Sequence, residues 1–343
     1  MSGFAKTKVE ILTLPELNDI KLGAVPAFDA GSLAHQLGVK TQTLMHAVIN
    51  RQSMYKVHTI AKKSGGRRLI HAPNGILKYV QGRVLSKILN PVEYPDHITA
   101  YVQERTTKHA AVQHAGNPVL VVIDIKNFFT STRRSAVKKT LQVEFGYPYE
   151  VAALLADVMT VPYEFGDGIR HIVPQGAPTS GAICNWVAHC FFDKKIIKEC
   201  EARGFTYTRY ADDLAFSHSE KVSRKEVDAL IRAVRKILRE AHYLVNEKKV
   251  RVQRRGRQQR LLGMTINVKP NVMRHQYRKL RARIHNVEIK GFDQVAAEMG
   301  VGSGQKLRKQ IEGTISYYQM INPQKAMRLQ LQLELALAKR GEL

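Results

Sequence analysis

Residues 119–125 read Val-Leu-Val-Val-Ile-Asp-Ile and give the strongest β-strand signal in the chain. All but one of these side chains are apolar, so both faces of the strand are expected to be covered, which is typical of a central strand. The exception is Asp124, which stands just before the polar residues Lys126 and Asn127. A buried strand that carries a carboxylate near its end is therefore the element around which the rest of the fold is predicted.

The segments that follow predict the partners of this strand. Thr206–Ser217 alternates in polarity across a tight turn and predicts a hairpin, with a long helix before it at Thr179–Glu201 and another after it at Ser223–Ala241. Residues 261–268 predict one more strand, and the pattern after Pro270 is helical. This order favours an α+β fold with an antiparallel sheet and helices on one face, the split βαβ or ferredoxin-like arrangement.

The chain before the central strand predicts smaller elements. Short helices suit Leu33–Val39 and Leu44–Ile49, and a longer helix suits Ile76–Leu89. Lys62–Pro73 has basic residues on both sides of a Gly-Gly pair, which predicts a hairpin that carries cations. Val161–Val173 predicts a further hairpin around Gly-Asp-Gly.

The charge is far from balanced. Lys and Arg outnumber Asp and Glu by 54 to 29, which gives a formal net charge of +25. Residues 248–343 hold 21 Lys or Arg but only 6 Asp or Glu, so most of the excess lies at the C-terminal end. Such an excess is self-repulsive unless a polyanion neutralises it, so nucleic acid is the first partner to expect; a merely soluble basic surface is the alternative.

Other features of the sequence indicate the cellular compartment. The chain has three cysteines without CxxC spacing, which indicates buried thiols rather than a disulfide framework or a zinc site. It contains no secretory leader pattern and no apolar run long enough to span a bilayer. We therefore expect a cytoplasmic protein without a membrane partner.

Three aspartates stand where this fold can bring them together. Asp124 lies near the end of the central strand, while Asp212 and Asp213 occupy the turn of the later hairpin. Carboxylates that converge at one sheet edge suit a pair of Mg²⁺ ions roughly 4 Å apart, the arrangement that nucleotidyl transfer requires. Aspartate is also common in hairpin turns for conformational reasons, so the turn alone does not decide the chemistry.

The order of the sequence motifs indicates the chemistry of this site. The blocks in question are Gly65–Pro73, Ile123–Phe129, Val173–Gly181, Tyr210–Asp213, Asn246–Lys249 and Leu262-Gly263. From about residue 60 to 270 this series resembles the ordered motif blocks of reverse transcriptases. The resemblance implies a right-hand polymerase fold, with fingers and a ferredoxin-like palm in residues 1–270 and a small, helical, basic thumb in residues 271–343.

The same resemblance implies roles at the active site. Asp124, Asp212 and Asp213 would be the catalytic residues and the ligands of two Mg²⁺ ions. The implied nucleotide-binding set is Arg68, Phe129, Gln175, Gly176, Tyr210 and Lys249. Arg68 would contact the triphosphate, and an aromatic ring at Phe129 would exclude a 2′-hydroxyl and so select deoxynucleotides. Lys249, or else Lys248, would protonate the departing pyrophosphate.

Within this family the compact chain resembles the bacterial retron enzymes. Two elements typical of retrons are incomplete: Ala110–His114 lacks the leading asparagine, and residues 261–263 keep only the glycine of Val-Thr-Gly. Asn267–Val272 does resemble the retron version. A group II intron-like, diversity-generating or otherwise domesticated bacterial enzyme stays open as the alternative.

The retron resemblance implies a cognate noncoding RNA as template and primer, and a short single-stranded DNA product branched from it. It also implies a role in antiphage defence with a separately encoded effector protein. The residues expected to contact RNA are His114, Arg274, Arg278, Lys279, Arg281 and Arg283, with Leu280 and Ile284 turned toward a core. A structural role is the alternative for His114. An RNA-binding scaffold without turnover is the rival from another functional class.

Overall fold

The structure is a computed structural model that describes residues 26–61 and 65–341. Its helices are α1 (Ala30–Leu37), α2 (Thr41–Ile49), α3 (Gly75–Val84), α4 (Thr107–His114), α5 (Phe128–Ser131), α6 (Arg134–Val143), α7 (Tyr149–Met159), α8 (Ser180–Ala188), α9 (Lys194–Glu201), α10 (Arg224–Glu240), α11 (Arg274–Lys290), α12 (Phe292–Glu298), α13 (Gly304–Ile321) and α14 (Pro323–Lys339). None of the described helices combines the length and apolarity needed to cross a membrane.

Its strands are β1 (Tyr55–Ala61), β2 (Arg67–Pro73), β3 (Val119–Lys126), β4 (Val161–Phe165), β5 (Gly168–Ile172), β6 (Phe205–Tyr210), β7 (Asp213–His218), β8 (Leu244–Val245), β9 (Arg251–Arg254), β10 (Arg260–Leu261), β11 (Met264–Thr265) and β12 (Asn271–Val272). Short 3₁₀ turns span Arg51–Met54 and Glu247–Lys249, and π-helical turns span Leu85–Leu89 and His189–Asp193. The chain forms two compact units. One comprises the described residues up to Pro95 with Asn127–Asp193, and the other comprises Asp96–Lys126 with the described residues from Lys194 onward.

The first unit is a helical cluster with two hairpins. Helix α1 begins with a capping box in which the Asp29 carboxylate accepts from the Ser32 N–H, and it ends at Gly38, which has φ +65°. The predicted hairpins are both present, as β1 paired with β2 and β4 paired with β5. Residues 62–64, at the tip of the predicted basic hairpin, lie outside the described residues.

The second unit contains the predicted sheet. Its strand order is β6-β7-β3-β8, with β9 also paired to β3, and every pairing is antiparallel. Strands β3 and β6 are therefore parallel with β7 between them, which is the split βαβ connection of a ferredoxin-like sheet. Strand β3 is internal, as its apolar composition predicts, and all of its residues except Lys126 are buried.

The helices of this unit complete the core. Helix α9 packs against β6, and α10 packs against α9 and β8. Alternate residues of β3, Leu120 and Val122, share one hydrophobic cluster with buried side chains of α11, α12, α13 and α14. The C-terminal helices thus share a core with the central sheet, and the domain boundary at residue 270 stays a prediction.

One element differs from its prediction. Residues 261–268 do not form a single strand, because Leu262 and Gly263 have φ values of +47° and +82° and make a turn between β10 and β11. The left-handed backbone region cannot continue a strand, so the apolar run folds back on itself. The helical pattern after Pro270 is interrupted by glycine-containing residues 299–303, because α12 ends at Glu298 and α13 begins at Gly304.

Candidate active site

The register of the sheet brings the three aspartates to one edge. Asp124 is the Cα partner of Asp213 in the pairing of β3 with β7, and Asp213 begins β7 directly after the turn. Ala211 has φ +56°, which closes this turn tightly. The Asp212 carbonyl accepts a 2.8 Å hydrogen bond from the Ile125 N–H, so the turn is fastened to the central strand.

An interruption in the neighbouring strand supplies partners for Asp124. Strand β8 pairs with the end of β3 and β9 with its beginning, and the 3₁₀ turn Glu247–Lys249 lies between them. From this interruption the Asn246 Nδ2 donates to Asp124 Oδ1 at 2.9 Å, and the Lys249 Nζ donates to Asp124 Oδ2 at 2.6 Å. Asp124 is 4% exposed, so both carboxylate oxygens are paired inside the protein.

The electrostatics of the cluster are unbalanced toward negative charge. Burial, followed by the charges of Asp212 and Asp124, raises the pKa of Asp213 to about 6, although Lys249 and Arg251 lower it. The hydrogen bond to Asp124, with the three carboxylate charges, raises the pKa of Lys249. Because carboxylate oxygens are the ligands that hard divalent cations prefer, this donor set fits a metal that would relieve the repulsion.

The first unit holds other predicted nucleotide contacts. The Gln175 carbonyl accepts a 2.8 Å hydrogen bond from the His71 N–H of β2, the strand that carries the exposed Arg68. Gly176 has φ +116°, and a Cβ at this position would lie 2.8 Å from Ile70 Cγ2. The Gln175-Gly176 turn is therefore packed on β2, and only glycine fits without displacement.

Phe129 and its neighbour Phe128 differ in exposure. Phe128 is buried and Phe129 is half-buried, with their ring centroids 5.6 Å apart. Because β3 ends at Lys126, both phenylalanines lie on the short helix α5 and not on the strand. Asn127 precedes α5 with φ +54°, and this left-handed residue ends the strand.

The structure corrects the prediction for His114. Its side chain is 1% exposed, with Nδ1 2.7 Å from Ser217 Oγ and Nε2 2.8 Å from Thr208 Oγ1. Burial lowers its pKa to about 4. His114 therefore links α4 to β6 and β7 inside the second unit and has no surface to offer to RNA.

The remaining candidates lie on α11. Arg274, Arg278, Lys279 and Arg281 are exposed and Arg283 is half-buried. Leu280 and Ile284 are buried in the core, as predicted from their helical spacing. Two residues of the carboxylate cluster were missed, Asn246 and Arg251; the position of Asn246 within the block Asn246–Lys249 was the available signal for the first.

Comparison with known families agrees with this geometry. The family model described as reverse transcriptase (RNA-dependent DNA polymerase) matches residues 60–266, which include all three aspartates and Lys249. The chain belongs to the reverse transcriptase family. It is accordingly an RNA-directed DNA polymerase with the right-hand polymerase fold, and the sheet that carries Asp124 is its palm.

Individual relatives show which members of this family the chain is similar to. The chain is 35% identical over 311 residues to the retron Mx65 reverse transcriptase of Myxococcus xanthus, covering 88% of this chain and 69% of that protein. It is 31% identical over 284 residues to the retron Mx162 reverse transcriptase of the same organism, covering 75% and 58% of the two chains. A solved telomerase from Candida albicans, in complex with a fragment of telomeric RNA, aligns with a TM-score of 0.47 at 12% identity, over 83% of this chain and 60% of that chain. This reverse transcriptase is of the bacterial retron type.

Proposed function

We propose that this reverse transcriptase copies part of a cognate noncoding RNA into a short single-stranded DNA that remains branched from the RNA. The RNA would serve as both template and primer, and deoxynucleoside triphosphates would be the substrates. The likeness to the Mx65 and Mx162 retron enzymes supports this assignment. The incomplete elements at Ala110–His114 and residues 261–263 leave the polymerase chemistry unaffected, because the aspartates and Lys249 lie outside them.

The observation that carries the proposal is the convergence of Asp124, Asp212 and Asp213 at the end of the central strand. These three carboxylates would hold two Mg²⁺ ions. When bound, such ions lower the pKa of the attacking 3′-hydroxyl and neutralise charge on the triphosphate. The protein holds Asp124 in place through a hydrogen bond from Asn246.

Lys249 has the properties of a proton donor. Its Nζ lies at the carboxylate cluster, and a lysine ammonium group carries a proton at neutral pH. In our proposal the proton on Nζ passes to the departing pyrophosphate. Lys248 is exposed in the same turn, has no bond to Asp124 among the described contacts, and is the weaker candidate.

The nucleotide and RNA contacts remain proposals. Arg68 would bind the triphosphate, Phe129 would select the deoxyribose, and Gln175 with Gly176 would border the nascent base pair. Tyr210, which ends β6 opposite Asp213, would border the nucleotide from the palm. The exposed cations of α11 would bind RNA phosphates, and the RNA–DNA product would act in antiphage defence with a separately encoded effector protein.

One preparation tests both the polymerase activity and the branched RNA–DNA product. The full chain is purified with its bound nucleic acid, which is sequenced before and after treatment with an enzyme that cleaves 2′,5′ branches. We expect one RNA species joined to one short DNA, and a purified Asp212→Asn variant that carries the RNA without the DNA. A spliced intron or a random RNA pool would point to an intron-like enzyme. RNA without DNA from both proteins, together with failure to extend a primer, would indicate a scaffold.

A further inference from the structure

A cleft of about 490 Å³ lies in the second unit where α11, β12 and the beginning of α14 meet. The lining side chains that matter for its chemistry are Arg274, Tyr277, Arg278, Arg281, Lys325 and Asn271. No Asp or Glu is among the described residues that line it. The cleft therefore combines four cations with one aromatic ring, and no acidic group within it balances their charge.

In the part of the chain that the structure describes, the three arginines form no ion pairs. They are spaced by four and then three residues, which places them along one face of α11. Within residues 26–61 and 65–341, no carboxylate lies within ion-pair distance of Arg274, Arg278 or Arg281, whereas Arg308 on α13 is paired with Glu312. Unpaired guanidinium groups side by side repel one another, and phosphate is the anion whose geometry they match best.

The wall opposite α11 is formed by Asn271 of β12 and Lys325 of α14, which are hydrogen-bonded to each other. The Lys325 Nζ donates to Asn271 Oδ1 at 3.1 Å and lies 5.4 Å from the centroid of the Tyr277 ring. Asn271 Oδ1 also accepts from Asn322 Nδ2 at 3.2 Å, and Asn322 caps the first turn of α14. The ammonium group thus lies over the aromatic ring, and a base that stacks on Tyr277 would displace it toward the phosphate.

We propose that this cleft receives a single unpaired nucleotide of the RNA partner. Its base stacks on Tyr277, and its own and flanking phosphates are bound by Arg274, Arg278, Arg281 and Lys325. The inference deepens the proposed function, on which it rests for the presence of a cognate RNA. A continuous duplex would contact the arginines through its backbone but would leave Tyr277 without a base, because paired bases stay inside the helix. The cleft volume is in the range of pockets that accept a small molecule of nucleotide size.

The test compares two labelled RNA hairpins that have the same stem and loop, one of which carries a bulge of unpaired uridines. Binding of the full chain is measured by fluorescence anisotropy. The wild type should prefer the bulged hairpin at least about fivefold, as expected for one stacked base. Tyr277→Leu should abolish the preference while affinity for the paired hairpin stays within about twofold, and Tyr277→Phe should keep the preference because the ring is retained.

The cations are tested with a matched charge control. Arg278→Gln should weaken binding of both hairpins and reduce the salt dependence of log K by about one phosphate contact. Lys309→Gln removes the same charge from an exposed position on α13 that does not line the cleft, and it should leave the preference for the bulge intact. A 4-thiouridine placed in the bulge should crosslink to the peptide that contains Tyr277.

The outcomes are separable from those of the proposed function. Primer extension on poly(rA)–oligo(dT) is measured with the same preparations. A wild type that extends the primer but binds both hairpins equally, or crosslinks only elsewhere, overturns the nucleotide cleft and leaves the polymerase standing. Equal preference for a bulged DNA hairpin would assign the cleft to the DNA product and overturn the RNA assignment. A wild type that prefers the bulge but extends no primer would overturn the proposed function instead.

Discussion

The palm carboxylates and the cationic face of α11 are both clusters of like charge, but they are built in different ways. Asp124 is buried and has both oxygens paired, to Asn246 and Lys249. Arg274, Arg278 and Arg281 are exposed and have no acidic partner among the described residues. Asp124 thus has partners inside the protein, whereas the three arginines of α11 have no such acidic partner among the described residues.

This difference predicts how each cluster responds to change. A buried charge lies in a region of low dielectric constant. One substitution there changes the electrostatic energy of every neighbouring charge, so its effects on activity are large and cooperative. An exposed charge is screened by salt and water, so each residue contributes a small and separate amount. Three of the following predictions test this contrast, and a fourth concerns a buried polar side chain outside both clusters.

The largest effect is expected at Asp124. Asp124→Asn should lower the rate of nucleotide incorporation at least about 10³-fold, because it removes a carboxylate that we propose as a metal ligand and also removes the partner of Lys249. Asp228→Asn, on the exposed side of α10, makes the same chemical change and should keep the rate within about twofold. Single-turnover extension measures both variants, with circular dichroism to confirm folding. Retention of a tenth of the wild-type rate by Asp124→Asn would contradict the assignment of the palm cluster.

The next effect is expected at Lys249. Lys249→Met should lower incorporation about 10²-fold, the contribution typical of a general acid. Lys248→Met is its matched control, because it removes a lysine from the adjacent position of the same exposed turn. The single-turnover rate should barely change in the control. Equal losses in the two variants would show that only the charge of the turn matters, and a larger loss at Lys248 would transfer the role to that residue.

His114 predicts a pH dependence of stability. Burial depresses its pKa to about 4 in the folded protein, below the ordinary value of 6.5. The unfolded chain therefore takes up a proton first as the pH falls. Stability is fully present above pH 6.5 and decreases as the pH falls toward 4, by up to about 3 kcal/mol from this group.

Urea unfolding between pH 7 and pH 4.5 measures this loss. His114→Gln should remove its share of the pH dependence, whereas His109→Asn, exposed on the same helix, should retain it. An NMR titration of wild-type His114 gives an independent readout that does not require a stable variant. If His114 titrates near pH 6.5 in the folded protein, burial does not lower its pKa and the predicted pH dependence is wrong.

The smallest effects are expected on α11. Lys279→Gln and Arg283→Gln should each weaken RNA binding about threefold and reduce the slope of log K against log salt by about 0.7 to 0.9. Lys225→Gln on α10 serves as the control for net charge. Anisotropy titrations at several salt concentrations give both quantities. A loss of a hundredfold at one of these positions would mean that the face acts cooperatively, contrary to the comparison.

Much of the palm could be predicted because its signals are local. The apolar run of β3 indicates a central strand, the alternation around residues 206–217 indicates a hairpin, and the order of elements indicates the split βαβ connection. The structure confirms each of these. The wrong predictions concern side-chain surroundings and backbone angles: a strand across Leu262-Gly263, and an RNA contact at His114.

Sequence alone determined that this chain is a reverse transcriptase, because the motif blocks and their order lie along the chain and need no coordinates to be recognised. It also determined the excess of basic charge and the three aspartates. Only the tertiary structure decided that Asn246 and Lys249 bond to Asp124, that His114 is buried between hydroxyl groups, and that Tyr277 shares a cleft with Lys325. These are contacts between residues distant in the chain, and their existence depends on packing and register that no local pattern encodes.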